Sequence, residues 1–253
     1  MENIVEEIKK AIEKHELCAY YQPQYDAMTD RLVSAEALVR WIKGDGHIVP
    51  PMDFIPQLEE TDAVTMVDWY MAEEVCKTLQ ELGPKAIPIA VNFSRWHVKE
   101  DDFSEHLTGL LEKYEVPSDL FEVEITESAL VAEESAILPW IRNVRGVKIR
   151  VAIDDFGSGL SSLQFIKDMP IDILKIDKTF IDSAIADSSA GIITQAVVDM
   201  AGKLGLKTVA EGVETQAQQN FMNSIGCDYI QGYLTGKPMS KMDFEKLIIR
   251  QLP

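Results

Sequence analysis

Eight short runs of apolar, β-prone residues, separated mostly by helical stretches, constrain the fold of this chain more than any other sequence feature. The runs cover residues 18–21, 32–35, 87–91, 121–125, 148–153, 171–176, 207–210 and 228–230. Eight strands that alternate with helices in a chain of 253 residues predict an α/β fold of the (β/α)8 barrel type. The ten residues between the first two runs are too few for a helical crossover. We therefore predict a modified TIM barrel with an antiparallel first strand.

An amphipathic helix is predicted before the first run, over about residues 2–15. Ile4, Val5, Ile8 and Ile12 fall on one side of this helix, at the spacing that buries a single face. The helix either caps the domain or is the remainder of a linker to an upstream segment. We divide the chain accordingly into residues 1–16, an N-terminal helix or linker, and residues 17–253, the barrel domain.

Polar side chains collect where the predicted strands end. They are Glu36, Asn92, Glu124, Glu127, Asp154, Asp155, Lys175, Asp177, Glu211, Glu214 and Gln231. In a barrel the carboxyl ends of the strands converge on one face, where active sites are built. Any single carboxylate of this kind could be a helix cap or a solvated loop residue. Their presence on nearly every strand favours a common site.

The residue types in this set indicate a site for hard cations. Carboxylates that are brought together repel one another and cannot all stay ionised without cations. Carboxylate oxygens with one amide are typical ligands of Mg²⁺ or Mn²⁺. The histidines that would favour zinc lie outside the strand ends: His15, His47, His97 and His106. The two glycines in residues 154–159 predict a flexible loop beside this site that can gate it.

Charge and hydropathy exclude several classes of protein. A net charge of −18 argues against binding a nucleic-acid polymer, but a small anionic ligand remains possible if cations supply positive charge. No run approaches 18 apolar residues and the N-terminus lacks an apolar signal core, so we expect no membrane contact from this segment. Cys18, Cys76 and Cys227 are far apart and form no CxxC pair, which is typical of thiols in a reducing cytoplasm.

A series of short motifs resembles one known family. Glu36-Ala37-Leu38 with Arg40 is preceded by Tyr21-Gln22-Pro23, and further motifs follow in order. These are Val91-Asn92-Phe93-Ser94, Glu122-Val123-Glu124-Ile125-Thr126-Glu127-Ser128, Asp154-Asp155-Phe156-Gly157, Leu174-Lys175-Ile176-Asp177, Ala210-Glu211-Gly212-Val213-Glu214-Thr215 and Gln231-Gly232-Tyr233-Leu234. Their order and spacing, from about residue 17 to 250, resemble the EAL domain, the bacterial cyclic di-GMP phosphodiesterase.

The resemblance implies hydrolysis of cyclic di-GMP to linear pGpG at a two-metal site for Mg²⁺ or Mn²⁺. We expect Ca²⁺ to inhibit, because it takes longer bonds and higher coordination numbers than Mg²⁺. It implies that one metal is held by Glu36, Asn92, Glu124 and Asp154. Asp154 would bridge to a second metal that Asp155 also holds. Lys175 would contact the nucleophilic water or the metal-site oxygens, and Glu211 would act as general base or orient the water. Glu36, Lys175 and Glu211 are thus the implied catalytic residues.

The resemblance also implies substrate contacts and a loop anchor. The implied contacts to the dinucleotide or its surroundings are Gln22, Leu38, Arg40, Asp177 and Gln231. Glu127 is expected to anchor the loop after the fifth strand by accepting hydrogen bonds from the Ser158 hydroxyl or from loop amides, with Glu214 as a further anchor. The alternative for Glu127 is a solvated charge at the end of a strand. One departure is Leu160, where many members have an aromatic residue.

The partners that follow from the resemblance are cyclic di-GMP, a second copy of the chain in a homodimer, and an upstream sensor or GGDEF-type domain if the chain is a fragment. Two other functions stay open on the sequence alone. One is a catalytically silent receptor for cyclic di-GMP, although such members typically lose metal ligands and this chain has lost none. The other is a different metal-dependent barrel enzyme, such as an enolase-type lyase.

Overall fold

The computed structural model of the chain describes residues 2–132, 134–157 and 163–251. Its strands are β1 (Leu17–Asp26), β2 (Leu32–Ile42), β3 (Ile48–Val49), β4 (Ile89–Asn92), β5 (Phe121–Thr126), β6 (Arg150–Phe156), β7 (Ile173–Ile176), β8 (Lys207–Ala210), β9 (Tyr229–Ile230) and β10 (Met239–Ser240). Its helices are α1 (Glu2–Glu13), α2 (Ile55–Glu59), α3 (Thr65–Leu82), α4 (Phe103–Lys113), α5 (Glu127–Ala132), α6 (Glu134–Gly146), α7 (Leu163–Asp168), α8 (Lys178–Ala186), α9 (Ser188–Lys203), α10 (Gln216–Ser224) and α11 (Lys241–Gln251).

Eight of these strands close into a barrel, which confirms the predicted fold class. Parallel pairs run from β2 through β4, β5, β6, β7 and β8 to β9. β1 closes the circle and is antiparallel to both β2 and β9. The short strands β3 and β10, which the sequence did not predict, extend the edges of β2 and β1.

Two predicted boundaries differ from the structure because of left-handed residues. The strand predicted from residue 148 starts at Arg150, since Lys148 has a φ of +66° and ends the turn after α6. The helix predicted to about residue 15 ends at Glu13, since His15 has a φ of +55°. Both residues reverse the chain direction between a helix and the strand that follows it.

The alternation of side chains along β5 shows how the strands separate core from site. Phe121, Val123 and Ile125 are buried in the main core between barrel and helices, where each contributes about 1.5–3 kcal/mol relative to exposure. Glu122 and Glu124 point to the opposite side, because successive side chains of a strand alternate between its two faces. That side is the barrel interior.

The barrel interior has an apolar layer beneath its polar end. Ala152, Ile173, Val209 and Tyr229 pack as a small cluster that is separate from the main core. The residues two positions further along are Asp154, Lys175, Glu211 and Gln231. Since positions two apart share a strand face, the predicted site lies directly above this apolar layer.

The N-terminal helix α1 packs on the barrel domain. Ile8 is buried in the core, and Ile4, Val5 and Ile12 pack against it, so the predicted apolar face is the buried one. Within the ranges that the structure describes, no helix combines the length and the apolar character needed to cross a membrane.

Candidate metal centre and active site

Lys175 on β7 is the hub of the predicted site. Its side chain is fully buried, and its Nζ lies 3.1 Å from Glu36 Oε2 and 2.8 Å from Glu124 Oε2. The same Nζ lies 2.9 Å from both Asp154 Oδ1 and Glu211 Oε1. Residues from five strands or strand ends thus meet at one ammonium group, as the barrel topology predicts.

Four side chains of this site have shifted pKa values. Burial lowers the pKa of Lys175, but the four surrounding carboxylates outweigh burial and raise this pKa well above 10.5. Burial raises the pKa of Glu124 well above its ordinary value of 4.5. Burial and, next, the charge of Asp154 raise the pKa of Glu211 well above 4.5. The same two causes raise the pKa of Asp155 to about 6. One lysine therefore does not neutralise this set of carboxylates.

Two overlapping groups of acidic side chains have the spacing of metal sites. Ligand atoms of Glu36, Glu124 and Asp154 lie within 4.8 Å of one another, as do those of Asp154, Asp155 and Glu211. Asp154 belongs to both groups. Glu124 Oε1 is buried and has no hydrogen-bond partner among the described residues, so this oxygen is available to a cation. The donor set therefore fits hard divalent cations.

A break in β6 directs two successive carboxylates to the same place. Neighbouring side chains in a regular strand point to opposite faces. Here the register between β6 and β7 shifts between Ile153 and Phe156, and Asp155 has a φ of +56°. The Asp155 amide donates to Asp154 Oδ1 at 3.0 Å. This left-handed residue lets both Asp154 and Asp155 contribute to the second acidic group.

Two amides orient Glu36 from either side. Asn92 Nδ2 donates to Glu36 Oε1 at 2.8 Å, and Gln231 Nε2 donates to Glu36 Oε2 at 2.6 Å. Gln231 also donates to Gln22 Oε1 at 3.3 Å, while Gln22 Nε2 donates to the Gly236 carbonyl at 3.1 Å. In the structure Gln22 and Gln231 thus support a candidate ligand.

The Glu127 carboxylate contacts the beginning of the loop after β6, the loop that this residue is predicted to anchor. It is the first residue of α5 and is 2 % exposed, so the alternative of a solvated strand-end charge is wrong. Its Oε2 accepts a hydrogen bond from the Gly157 amide at 2.6 Å. Gly157 has a φ of +99°, and a Cβ there would lie 1.9 Å from the Phe180 ring. Glu127 and Phe180 therefore fix the chain just after the two aspartates.

The remaining predicted residues have other partners in the structure. Arg40 Nη1 donates to the Val39 carbonyl at 2.8 Å, and its guanidinium lies 5.7 Å from the centre of the Tyr20 ring. Asp177 caps α8 by accepting from the Thr179 amide. The Glu214 side chain is 47 % exposed and pairs with Lys178 at 3.2 Å. The predicted loop residues Ser158 and Leu160 lie outside the described residues.

A cleft of about 520 Å³ opens beside the acidic centre. Asn92, Asp154 and Asp155 line this cleft, and so does Leu38, whose role as a substrate contact stays a prediction. Sequence reasoning missed a further part of the lining, a wall that is formed by α2, by α3 and by the segment after β4. Its polar and aromatic members are Glu59, Glu60, Asp68, Ser94, Arg95 and Trp96.

A buried histidine supports this missed wall. His97 is fully buried, with Nε2 at 3.0 Å from Asp68 Oδ2 and Nδ1 at 3.0 Å from Glu100 Oε2. Asp68 Oδ2 also accepts from the Ser94 amide at 2.9 Å. Because Asp68 and His97 are 29 positions apart, no local spacing signalled this contact. The cluster fixes the segment that follows the candidate ligand Asn92.

Comparison with known proteins agrees with the resemblance. A sequence model of the EAL domain matches residues 5–238. Signaling protein YkoW of Bacillus subtilis (strain 168) is 35 % identical over 246 residues, covering 96 % of this chain and 31 % of YkoW. Cyclic di-GMP phosphodiesterase PA2567 of Pseudomonas aeruginosa is 32 % identical over 233 residues, covering 91 % of this chain and 40 % of that protein. The chain thus spans less than half of either relative.

A solved structure described as a PaMucR phosphodiesterase in complex with c-di-GMP has a TM-score of 0.88 to this fold. It is 31 % identical, and the match covers 96 % of this chain and 99 % of that one. The structural match therefore extends over nearly the whole barrel and argues against the alternative of an enolase-type lyase.

Proposed function

The chain belongs to the EAL domain family, and from this premise we propose that it hydrolyses cyclic di-GMP to linear pGpG with two divalent cations, Mg²⁺ or Mn²⁺. The proposal rests on one observation above all, the two overlapping acidic groups that share Asp154. Relatives named as cyclic di-GMP phosphodiesterases support the choice of substrate.

The acidic centre supports hydrolysis of a phosphodiester. A phosphodiester is an anion that repels hydroxide, so its hydrolysis requires positive charge near the phosphate. Divalent cations at such a centre neutralise phosphoryl oxygens and lower the pKa of water. We assign Glu36, Asn92, Glu124 and Asp154 to one cation, and Asp154 with Asp155 to the other. Since Glu211 belongs to the second acidic group, we assign it to that cation's surroundings as well.

Glu211 and Lys175 are assigned to the handling of the water proton. A general base must lie within reach of the proton that it accepts, and Glu211 belongs to the acidic group that would hold a cation and its water. Lys175 Nζ holds Glu211 Oε1 at 2.9 Å and so orients the acceptor. Glu211 would take or direct the proton of the attacking water, while Lys175 keeps the surrounding oxygens in place.

The cleft supports binding of the dinucleotide next to this centre. Leu38 offers an apolar surface to a base and Trp96 an aromatic one, since both residues line the cleft. We assign Arg40 to a phosphate, since a guanidinium presents a planar fork of donors. In the structure Arg40 Nη1 donates to the Val39 carbonyl, which engages one of the five N–H donors of this group.

A turnover assay tests the proposal directly. The protein is incubated with cyclic di-GMP and Mg²⁺ or Mn²⁺, and pGpG is separated by chromatography while binding is measured calorimetrically with Ca²⁺. We expect turnover with Mg²⁺ or Mn²⁺, inhibition by Ca²⁺, and loss of turnover in Asp154→Asn. Asp101→Asn, an exposed aspartate away from the cleft, is the matched control. Binding without turnover would instead indicate a receptor.

We propose that the protein acts in the cytoplasm, because its three cysteines are free thiols, as in proteins of reducing compartments. Homodimerisation stays a prediction of the family resemblance. The greater length of the relatives supports the prediction of a further sensor or GGDEF-type domain beside this one.

A further inference from the structure

Gln24 on β1 is a buried amide inside the barrel to which sequence reasoning gave no role. It is 2 % exposed, and it lies two positions after Gln22 on the same strand face. Its side chain contacts two others, Gln231 and Ser34. Through Gln231 it is connected to the candidate metal ligand Glu36.

The hydrogen bonds along this connection have a fixed direction. A carboxylate only accepts, so Gln231 must turn its Nε2 toward Glu36, as observed at 2.6 Å. The carbonyl oxygen of Gln231 then faces Gln24, whose Nε2 donates to it at 2.7 Å. The remaining oxygen of Gln24 accepts from the Ser34 hydroxyl at 2.5 Å. Each amide therefore accepts a hydrogen bond at its oxygen and donates one through its nitrogen to the next group on the path to Glu36.

We propose that Gln24 is a positioning residue that fixes the orientation of the Gln231 amide and thereby the carboxylate of Glu36. The proposal rests on the assignment of Glu36 as a metal ligand in the proposed function. Without Gln24 the carbonyl oxygen of Gln231 is buried and unpaired, which is unfavourable. Rotation of that amide to find another partner would turn its oxygen toward Glu36, where two acceptors repel each other.

Metal affinity measures this effect without any turnover. Replacement of a residue that hydrogen-bonds to a metal ligand, without itself binding the metal, typically weakens metal affinity by 10–100-fold. Gln24→Met keeps the length of the side chain but removes its donor. We therefore expect Gln24→Met to weaken Mn²⁺ binding by about 10-fold or more, as measured by the free-Mn²⁺ signal in electron paramagnetic resonance.

Ser34→Ala is the matched control. It removes the last donor of the chain of hydrogen bonds but leaves the contact from Gln24 to Gln231 intact. We expect its Mn²⁺ affinity to stay within about 3-fold of the wild type, because Gln24 still donates to Gln231. A turned Gln24 amide would set its oxygen against the Gln231 oxygen. A loss of Mn²⁺ affinity as large as in Gln24→Met would overturn the proposal. It would show that removal of any polar group from the barrel interior weakens Mn²⁺ binding.

A double-mutant cycle shows whether Gln24 acts through Gln231. If it does, Gln24→Met combined with Gln231→Met should bind Mn²⁺ no more weakly than Gln231→Met alone. Additive losses, or wild-type affinity in Gln24→Met, would overturn the proposal. Thermal unfolding in EDTA checks that each variant folds. If Gln24→Met does not fold, Gln24→Asn takes its place, because the asparagine side chain is too short to contact Gln231. A wild type that binds Mn²⁺ without hydrolysing cyclic di-GMP would refute the proposed function alone.

Discussion

Replacement of Lys175 by methionine tests whether this lysine holds the acidic centre together when no cation is bound. Its fully buried ammonium lies within 3.1 Å of oxygens from Glu36, Glu124, Asp154 and Glu211. Removal of one partner of a buried ion pair costs about 3–5 kcal/mol, because the other charge stays buried without compensation. With four carboxylates around the lysine, we expect the upper end of that range. At roughly 2–4 °C per kcal/mol, Tm should fall by about 10–20 °C.

The loss should depend on pH. Burial raises the pKa of Glu124 and Glu211 on folding, and Lys175 opposes this rise. A carboxyl group with a raised pKa contributes stability that is complete below its unfolded pKa, near 4.5, and is lost as pH rises through the folded pKa. Without Lys175 these groups bind protons more readily. We therefore expect Lys175→Met to lower Tm less at pH 6 than at pH 8.5.

Divalent cations should compensate for the missing lysine. A ligand present at 1,000 times its Kd stabilises the folded state by about 4.1 kcal/mol, which is close to the expected loss. Tm is measured by circular dichroism with EDTA and with excess Mn²⁺. Lys178→Met is the control, because that lysine is 39 % exposed and pairs with Asp182 and Glu214 at the surface. Exposed pairs contribute about 0–1 kcal/mol. Equal Tm losses for both variants in EDTA would refute the reasoning, as would a Lys175→Met protein whose Tm does not rise with Mn²⁺.

Three further predictions concern single side chains. Glu211→Gln should lower kcat by about 100-fold or more and leave KM nearly unchanged in steady-state kinetics; a raised KM with normal kcat would make Glu211 a binding residue. Glu127→Ala should fold but lose most activity at low Mg²⁺, with partial recovery at high Mg²⁺, because the Gly157 amide loses its acceptor. An unchanged Mg²⁺ dependence would contradict this role. Burial lowers the pKa of His97, but hydrogen bonds to Asp68 and another carboxylate outweigh burial and raise this pKa above its ordinary value. His97→Gln should therefore cost more stability at pH 6 than at pH 9 in urea unfolding, and equal costs would exclude a charged histidine.

The barrel could be predicted from the sequence because its strands and helices have clear periodicities. Runs such as 121–125 are apolar where the strand is buried. The ten residues between the first two predicted runs were too few for a helical crossover, which predicted the antiparallel pairing of β1 and β2. The strands β3 and β10 could not be predicted in this way. Each pairs over two residues, which is too short for any alternation to show.

The grouping of the carboxylates was also predictable, because it follows from topology. Strands that run in one direction bring corresponding positions to one face of the barrel, so Glu36 on β2 and Glu211 after β8 both contact Lys175 despite their separation in the chain. The partners of exposed or long side chains were not predictable on this basis. The direction of the Arg40 guanidinium and the contact of Glu214 with Lys178 depend on rotamers, which strand spacing does not determine.

The backbone conformation of Asp155 couples the position of the loop after β6 to the position of the carboxylates in the candidate metal centre. A non-glycine residue with a φ of +56° is unfavourable by about 1–3 kcal/mol and persists when its surroundings hold it. Those surroundings include the amide of Gly157, which donates a hydrogen bond to Glu127, and the ring of Phe180, which occupies the space beside Gly157. Release of either contact would let Asp155 return to an extended conformation. We expect its carboxylate then to turn away from Asp154, so that loss of the Glu127 contact weakens cation binding at the second acidic group.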